Sequence, residues 1–171
     1  MSNKLQFLAK YGHSGHIDKI INDDGDADSF HTAHKLATEN PVYDEHHITK
    51  SLDSEHMGVR KLAALHPKIN DSHVAKIMKD DSYNSASIKS AVMINDNIKP
   101  HAIKAAFDNG NAETRKIIGK HTFLPAELRH HVLQNTSDPE IYDHITRRIK
   151  ADKKLDDFYD SIKDHPLLNS K

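Results

Sequence analysis

The chain has no cysteine. That excludes disulfides, thiolate metal sites and cysteine nucleophiles. Tryptophan is also absent, and aromatics make up 6% of residues, too few for the wedges a DNA-handling helical-repeat enzyme would want. No apolar run approaches the ~20 residues that a membrane-spanning helix needs. The opening "MSNKLQFLAKYGHSGH" lacks the apolar stretch of a secretory signal, so a soluble cytoplasmic protein is expected. An excess of one charge is missing too: Lys+Arg total 24 and Asp+Glu 25. Bulk charge therefore argues against a polyanion-binding arm. Gly-rich phosphate loops, GxSxG, Gly-Lys-Ser/Thr and HExxH do not occur, which removes the usual local signatures of an enzyme. Apolar content of 36% is lean for one central core, yet too high for a disordered chain.

Histidine is abundant: 15 of 171 residues, spread from His13 to His165. The chain also repeats itself. Residues 34–55, "HKLATENPVYDEHHITKSLDSE", align without a gap on residues 60–81, "RKLAALHPKINDSHVAKIMKDD". Residues 89–110 and 115–136 carry the pattern on, and residues 8–26 are a degenerate first copy. Each unit reads as two short helices. Ile17/Ile20/Ile21, Val74/Ile77/Met78 and Ile103/Ala106/Phe107 recur at i, i+3, i+4, the period of one helical face. The first helix of a unit closes at Asn40-Pro41, His66-Pro67 or Asn95-Asp96, where Asn or His is expected in the left-handed conformation. The second opens at Asp44, Asp71, Pro100 or Pro125, residues suited to N-cap or N1. Helices of ~10 residues are marginal alone. Stacking the units covers their apolar faces, so the expected fold is all-α, a right-handed α-solenoid.

The stretch "VRKLAALHPKINDSHVAKIMKDD" resembles the leucine-rich repeat variant, a HEAT-like helical repeat of bacterial and phage proteins. Val59, Arg60, Leu62, Ala63, Pro67, Ile69, Val74 and Asp80 match one copy of its pattern. The internal repeat predicts about five two-helix units over residues 1–136, at about 5–29, 30–56, 57–83, 84–110 and 111–137. Residues 138–171 would form a C-terminal helical cap and tail. The expected function of such an array is a non-enzymatic protein–protein interaction scaffold or adaptor without a cofactor; the resemblance admits a phage or bacterial origin, and so an accessory subunit of a larger assembly, even a virion. Some members carry an iron–sulfur cluster on cysteines, a feature that cannot transfer here.

"NDDGDADSF", residues 22–30, puts Asp24, Asp26 and Asp28 at the 1-3-5 spacing of a calcium loop. Such a loop also needs Gly at its sixth position and Glu at its twelfth; these are Ser29 and Lys35. An inter-repeat link is the expected reading, with Asp24, Asp26 and Asp28 as weak metal candidates. Its counterparts, Asp53-Ser54-Glu55, Asp80-Asp81-Ser82 and Asp108-Asn109-Gly110, are expected to cap the helix that follows.

His16, His47 and His73 precede the first apolar residue of a second helix, and His101 and His130 fall near that column. Equivalent positions stack along a solenoid, so these five are candidate partner-binding residues on the second-helix face. Capping and surface roles are the plainer reading. The alternative is a pH- or metal-responsive binder, since neutral imidazole binds metals and titrates nearest neutrality. Near the C-terminus, Asp138 or Ser137 is expected to cap a helix opening at Pro139, with Ile141, Ile145 and Ile149 as one stripe and Leu155, Phe158, Tyr159 and Ile162 as a second. Arg147, Arg148, Lys150, Lys153 and Lys154 form the one basic cluster. It is a solvated face, or a docking patch for acidic or phosphate groups, and the basis of an alternative nucleic-acid-binding role.

Overall fold

A computed structural model describes residues 3–22, 27–82 and 84–162. Among them there are eleven helices and no strand: α1 (Asn3–Tyr11), α2 (Ser14–Ile21), α3 (Ala27–Thr38), α4 (Glu45–Leu52), α5 (Met57–Ala64), α6 (Asp71–Lys79), α7 (Ser85–Met93), α8 (Pro100–Asn109), α9 (Ala112–Lys120), α10 (Ala126–Asn135) and α11 (Pro139–Ile162). None is long and apolar enough to cross a membrane.

The helices are short because capping and turn residues recur. Asp44 caps α4 by accepting from the His46 and His47 N–H groups, and Asn70 caps α6 through His73 N–H. Pro100 stands at the first turn of α8, where its missing N–H costs nothing. Odd-numbered helices pack in succession, α1 on α3, α3 on α5, α5 on α7, α7 on α9 and α9 on α11. Even-numbered ones pack α2 on α4, α6 on α8 and α8 on α10. The apolar stripes meet between the rows: Ile17, Ile20, Ile48, Val74, Ile77, Ile88, Val92, Ile103, Phe107, Ile118, Ile141 and Ile145 are buried in one continuous cluster.

Two local expectations are corrected. No described residue has positive φ, so Asn40, His66 and Asn95 do not close helices in the left-handed conformation; their side chains do the work instead, as set out below. The acidic links do not cap the next helix either. Asp53 pairs with Lys76 at 2.6 Å and Asp80 with Arg60 at 3.0 Å, while α5 and α7 have no side-chain cap. Asp80 Oδ1 also accepts from Ser82 N–H, so both carboxylates are turned to a cation, and that of Asp80 also to its own loop, instead of to the next helix. Asp24 and Asp26 lie outside the described residues. Asp28 lies in α3, and its side chain is not described.

Candidate functional site

Two columns of polar side chains run through the packed rows. The first lies in the turns after the odd helices. Asn40 Nδ2 donates to the carbonyls of Ala9 (3.0 Å) and Gly12 (3.1 Å), while its Oδ1 accepts from Val42 N–H. Asn95 repeats this with Ala64 (2.9 Å), His66 (3.3 Å) and Asn97 N–H. Between them stands His66. Its Nδ1 accepts from Lys68 N–H at 3.1 Å, and its Nε2 lies 3.1 Å from the Thr38 carbonyl. The accepted bond requires Nδ1 to be bare, so Nε2 carries the proton and donates to Thr38. The imidazole thus reproduces both halves of the asparagine amide, one acceptor turned into its own turn and one donor turned back to the previous odd helix. All three residues are buried, where an unpaired polar group would be costly. His121 makes the turn half of the pattern, accepting from Phe123 N–H at 3.2 Å.

The second column opens the even helices. His47 and His73 both occupy the third helical position and close capping boxes. His73 Nδ1 accepts from Asn70 N–H at 3.3 Å, and Nε2 lies 3.0 Å from Thr49 Oγ1. Thr49 already donates to Glu45 O, so Nε2–H is the donor. His47 accepts from Asp44 N–H at 3.2 Å and reaches Ser14 Oγ at 3.0 Å. Asp44 Oδ1 also lies 2.7 Å from its Nδ1; a proton on Nδ1 would donate to this carboxylate, and the contact is an ion pair when both ring nitrogens are protonated. His47 and His73 are therefore buried, not on the surface face expected of them: a cap that also reaches the preceding helix must sit in the seam. His16 holds the same helical position in α2, stacks on His13 with ring centroids 3.8 Å apart, and keeps a buried Nδ1 without a hydrogen-bond partner. His101 is exposed and pairs with Asp71 Oδ2 at 2.7 Å. His130 is exposed, and its neighbour His131 lies 2.6 Å from Asp108 Oδ1.

Burial pushes the imidazoles of His66 and His73 below their ordinary titration range. The Thr38 carbonyl beside His66 and Glu45 beside His73 pull the other way, and Lys68 and Lys76 add to the depression.

The basic cluster is divided by its surroundings. Arg147 pairs with Asp143 at 2.7 Å and Arg148 donates to the His121 carbonyl at 3.1 Å, whereas Lys150, Lys153 and Lys154 are exposed. Lys89 went unnoticed in the sequence. It is fully buried in α7, donates to Thr114 Oγ1 at 2.9 Å and lies 3.6 Å from Asp81 Oδ1. Thr114 passes the chain on to the Met78 carbonyl. An open groove of about 590 Å³ runs between α6 and α8. Ala75, Met78, Ala102 and Ala105 line it, with Asp71 and His101 at one end and Lys79 and Asn109 at the other. Among the described residues no three His, Asp or Glu are grouped to hold a metal ion.

No protein-family model, curated protein or solved structure matches the chain.

Proposed function

We propose that this chain is a HEAT-like α-solenoid of the leucine-rich repeat variant kind, acting as a non-enzymatic scaffold that binds another protein. The array would span residues 1–136 as about five helical pairs, with 138–171 as its cap. The observation that carries the reading is the succession of contacts between helices two apart in sequence, since each hairpin of a solenoid touches chiefly its neighbours. The partner would lie along the even-helix face, in the α6–α8 groove beside the exposed His101 and toward His130. Small alanine side chains there let another backbone approach closely, and the Asp71–His101 pair at one end and Lys79 at the other supply both signs of charge. His47 and His73 hold the seam beneath that face and would not touch the partner. An origin in a phage or bacterial assembly fits the resemblance.

Two measurements test this. A compact 171-residue globule has a radius of gyration of about 15–16 Å; small-angle scattering of a solenoid gives a larger value, and one within that range overturns the fold reading. Pulldown from the source organism, run with the wild-type chain and with Ala105→Glu, should capture a protein that the substituted groove loses. Capture of nucleic acid alone, retained at ~0.15 M salt, would favour the basic cluster of Arg147, Arg148, Lys150, Lys153 and Lys154 instead.

A further inference from the structure

The first polar column contains one oddity. Three successive joints between odd helices are made by Asn40, His66 and Asn95, in the same geometry. An amide cannot take up a proton near neutrality, and an imidazole can. We propose that His66 is a proton-sensitive joint: acidification opens the seam between α3 and α5 while the flanking amide joints stay closed.

Both ring nitrogens of His66 are committed to the joint. A proton on Nδ1 would face the Lys68 N–H that it now accepts from, donor against donor. Either the 66–68 turn opens, or the ring turns and withdraws Nε2 from Thr38. Both outcomes loosen the end of α5 from the end of α3. The groups around the ring are mixed: the Thr38 carbonyl and the Tyr43 ring favour a cation, while burial and Lys68 oppose it. Its own turn presents Lys68, whose ammonium is held by the Tyr43 carbonyl at 2.8 Å. The end of α3 presents Lys35 and Glu39, one of each sign, in the groove of about 500 Å³ that His66 lines. The turn before α4 presents the Tyr43 ring, centroids 4.9 Å apart, with His47 stacked behind it. The turn after α7 presents the Asn95 amide, which donates to the His66 carbonyl. Among the described residues no carboxylate is paired with the ring, unlike His47, which has Asp44 beside its Nδ1. His73 is fully committed in the same way but faces Glu45, so it is the weaker of the two. The depressed titration of His66 agrees with this geometry.

The sign follows from linkage. A histidine whose folded-state pKa lies below its unfolded value of about 6.5 adds nothing at pH 8. Below about 6.5 the unfolded chain binds the proton first, and the folding equilibrium falls by up to about tenfold per pH unit until the folded state titrates too.

The test uses the full chain and His66→Asn, the residue found at the two flanking joints. Urea unfolding is followed at pH 7.5 and 5.5, with imidazole nitrogen NMR and pH-corrected amide exchange on the wild type. The expectation is a His66 Nε2–H tautomer titrating below about 6.5. The substituted chain should lose less of its folding equilibrium on acidification, by up to about tenfold. Lys68 N–H should lose protection before Asn97 N–H, which Asn95 holds. An Nδ1–H tautomer, a midpoint at or above the free value, an unchanged acid slope in His66→Asn, or equal loss of protection at both amides each overturns the proposal. If His66→Asn does not fold at pH 7.5, the wild-type spectra and exchange decide alone.

Discussion

In residues 139–149, α11 packs as another odd helix would, with Ile141 and Ile145 buried, Ile149 partly buried and Gly119 of α9 pressed against Ile141. In residues 150–157 the same helix continues with every side chain exposed or partly exposed. The backbone is alike in both halves, and neither contains a Pro or Gly after Pro139 to break it. Burial is what differs. Where the next apolar turn would fall, the chain has Asp152 and Lys153. Asp152 turns back to pair with Arg129 of α10, and residues 153–157 are exposed. Helix continuation is a local matter, set by propensity over a few residues; packing depends on whether an apolar face meets another. Lys116 and Lys120 add a surface link to the packed half, flanking Glu140 at 2.8 and 3.0 Å and lowering its carboxyl pKa to about 2.

If that contrast is right, the largest loss belongs to Ile145→Ala. The side chain is wholly buried, and truncating a buried isoleucine costs about 2–5 kcal/mol through lost transfer energy and the cavity left. Chemical denaturation of the full chain measures it. A value below ~1 kcal/mol would mean that the packed half of α11 is no better anchored than the exposed half.

Gly119→Ala comes next. A Cβ at Gly119 would meet Ile141 Cγ2 at 2.6 Å, and a β-branched methyl has little room to yield. Overpacking costs roughly 1–3 kcal/mol, against a helix-propensity gain of up to about 1 kcal/mol, so the net effect is destabilisation by about 1 kcal/mol. In an Ile141→Ala background the space is vacant, and the same change should become neutral or stabilising. Additive costs in the double variant would show that the two residues do not touch.

The helical stripes were legible because burial imposes a period that a sequence displays. Val74, Ile77 and Met78, and Ile103, Ala106 and Phe107, are buried as their spacing requires. Asn40, His66 and Asn95 were legible as boundaries, but their mechanism was not. Their partners Ala9, Thr38 and Ala64 lie 28–31 residues back, and adjacency in sequence cannot show a bond of that reach. The column of His47 and His73 was visible, and its burial was missed. The overlooked signal was local: Asp44 and Asn70 stand three residues ahead, the spacing of a capping box with histidine in place of Glu or Gln. Lys89 offers no such signal. It sits between Ile88 and Ser90 like any surface lysine, and Thr114, which accepts its hydrogen bond, is 25 residues away.

At the hinge of the comparison stands Asp138. Its Oδ1 accepts from Glu140 N–H at 2.8 Å and Ile141 N–H at 3.3 Å, starting the half of α11 that packs. Asp138→Ala should cost about 1 kcal/mol in the same denaturation assay, and Asp138→Asn or Asp138→Ser should recover most of it. Equal loss in all three would assign the effect to charge near the helix start and not to the cap.

Leu155→Ala should have the smallest effect, within about 0.5 kcal/mol of wild type. Leu155 is 52% exposed, against 0% for Ile145, although both are aliphatic residues on one continuous helix. Most of its surface is in water in the folded chain, so truncation removes little transfer energy and leaves no cavity. The measurement belongs at two protein concentrations. A loss above ~1 kcal/mol that grows with concentration would mean that a second copy covers this part of α11, because stability linked to association follows mass action. A loss of that size at every concentration would place Leu155 against the chain's own core. Either result would erase the difference between the two halves of α11.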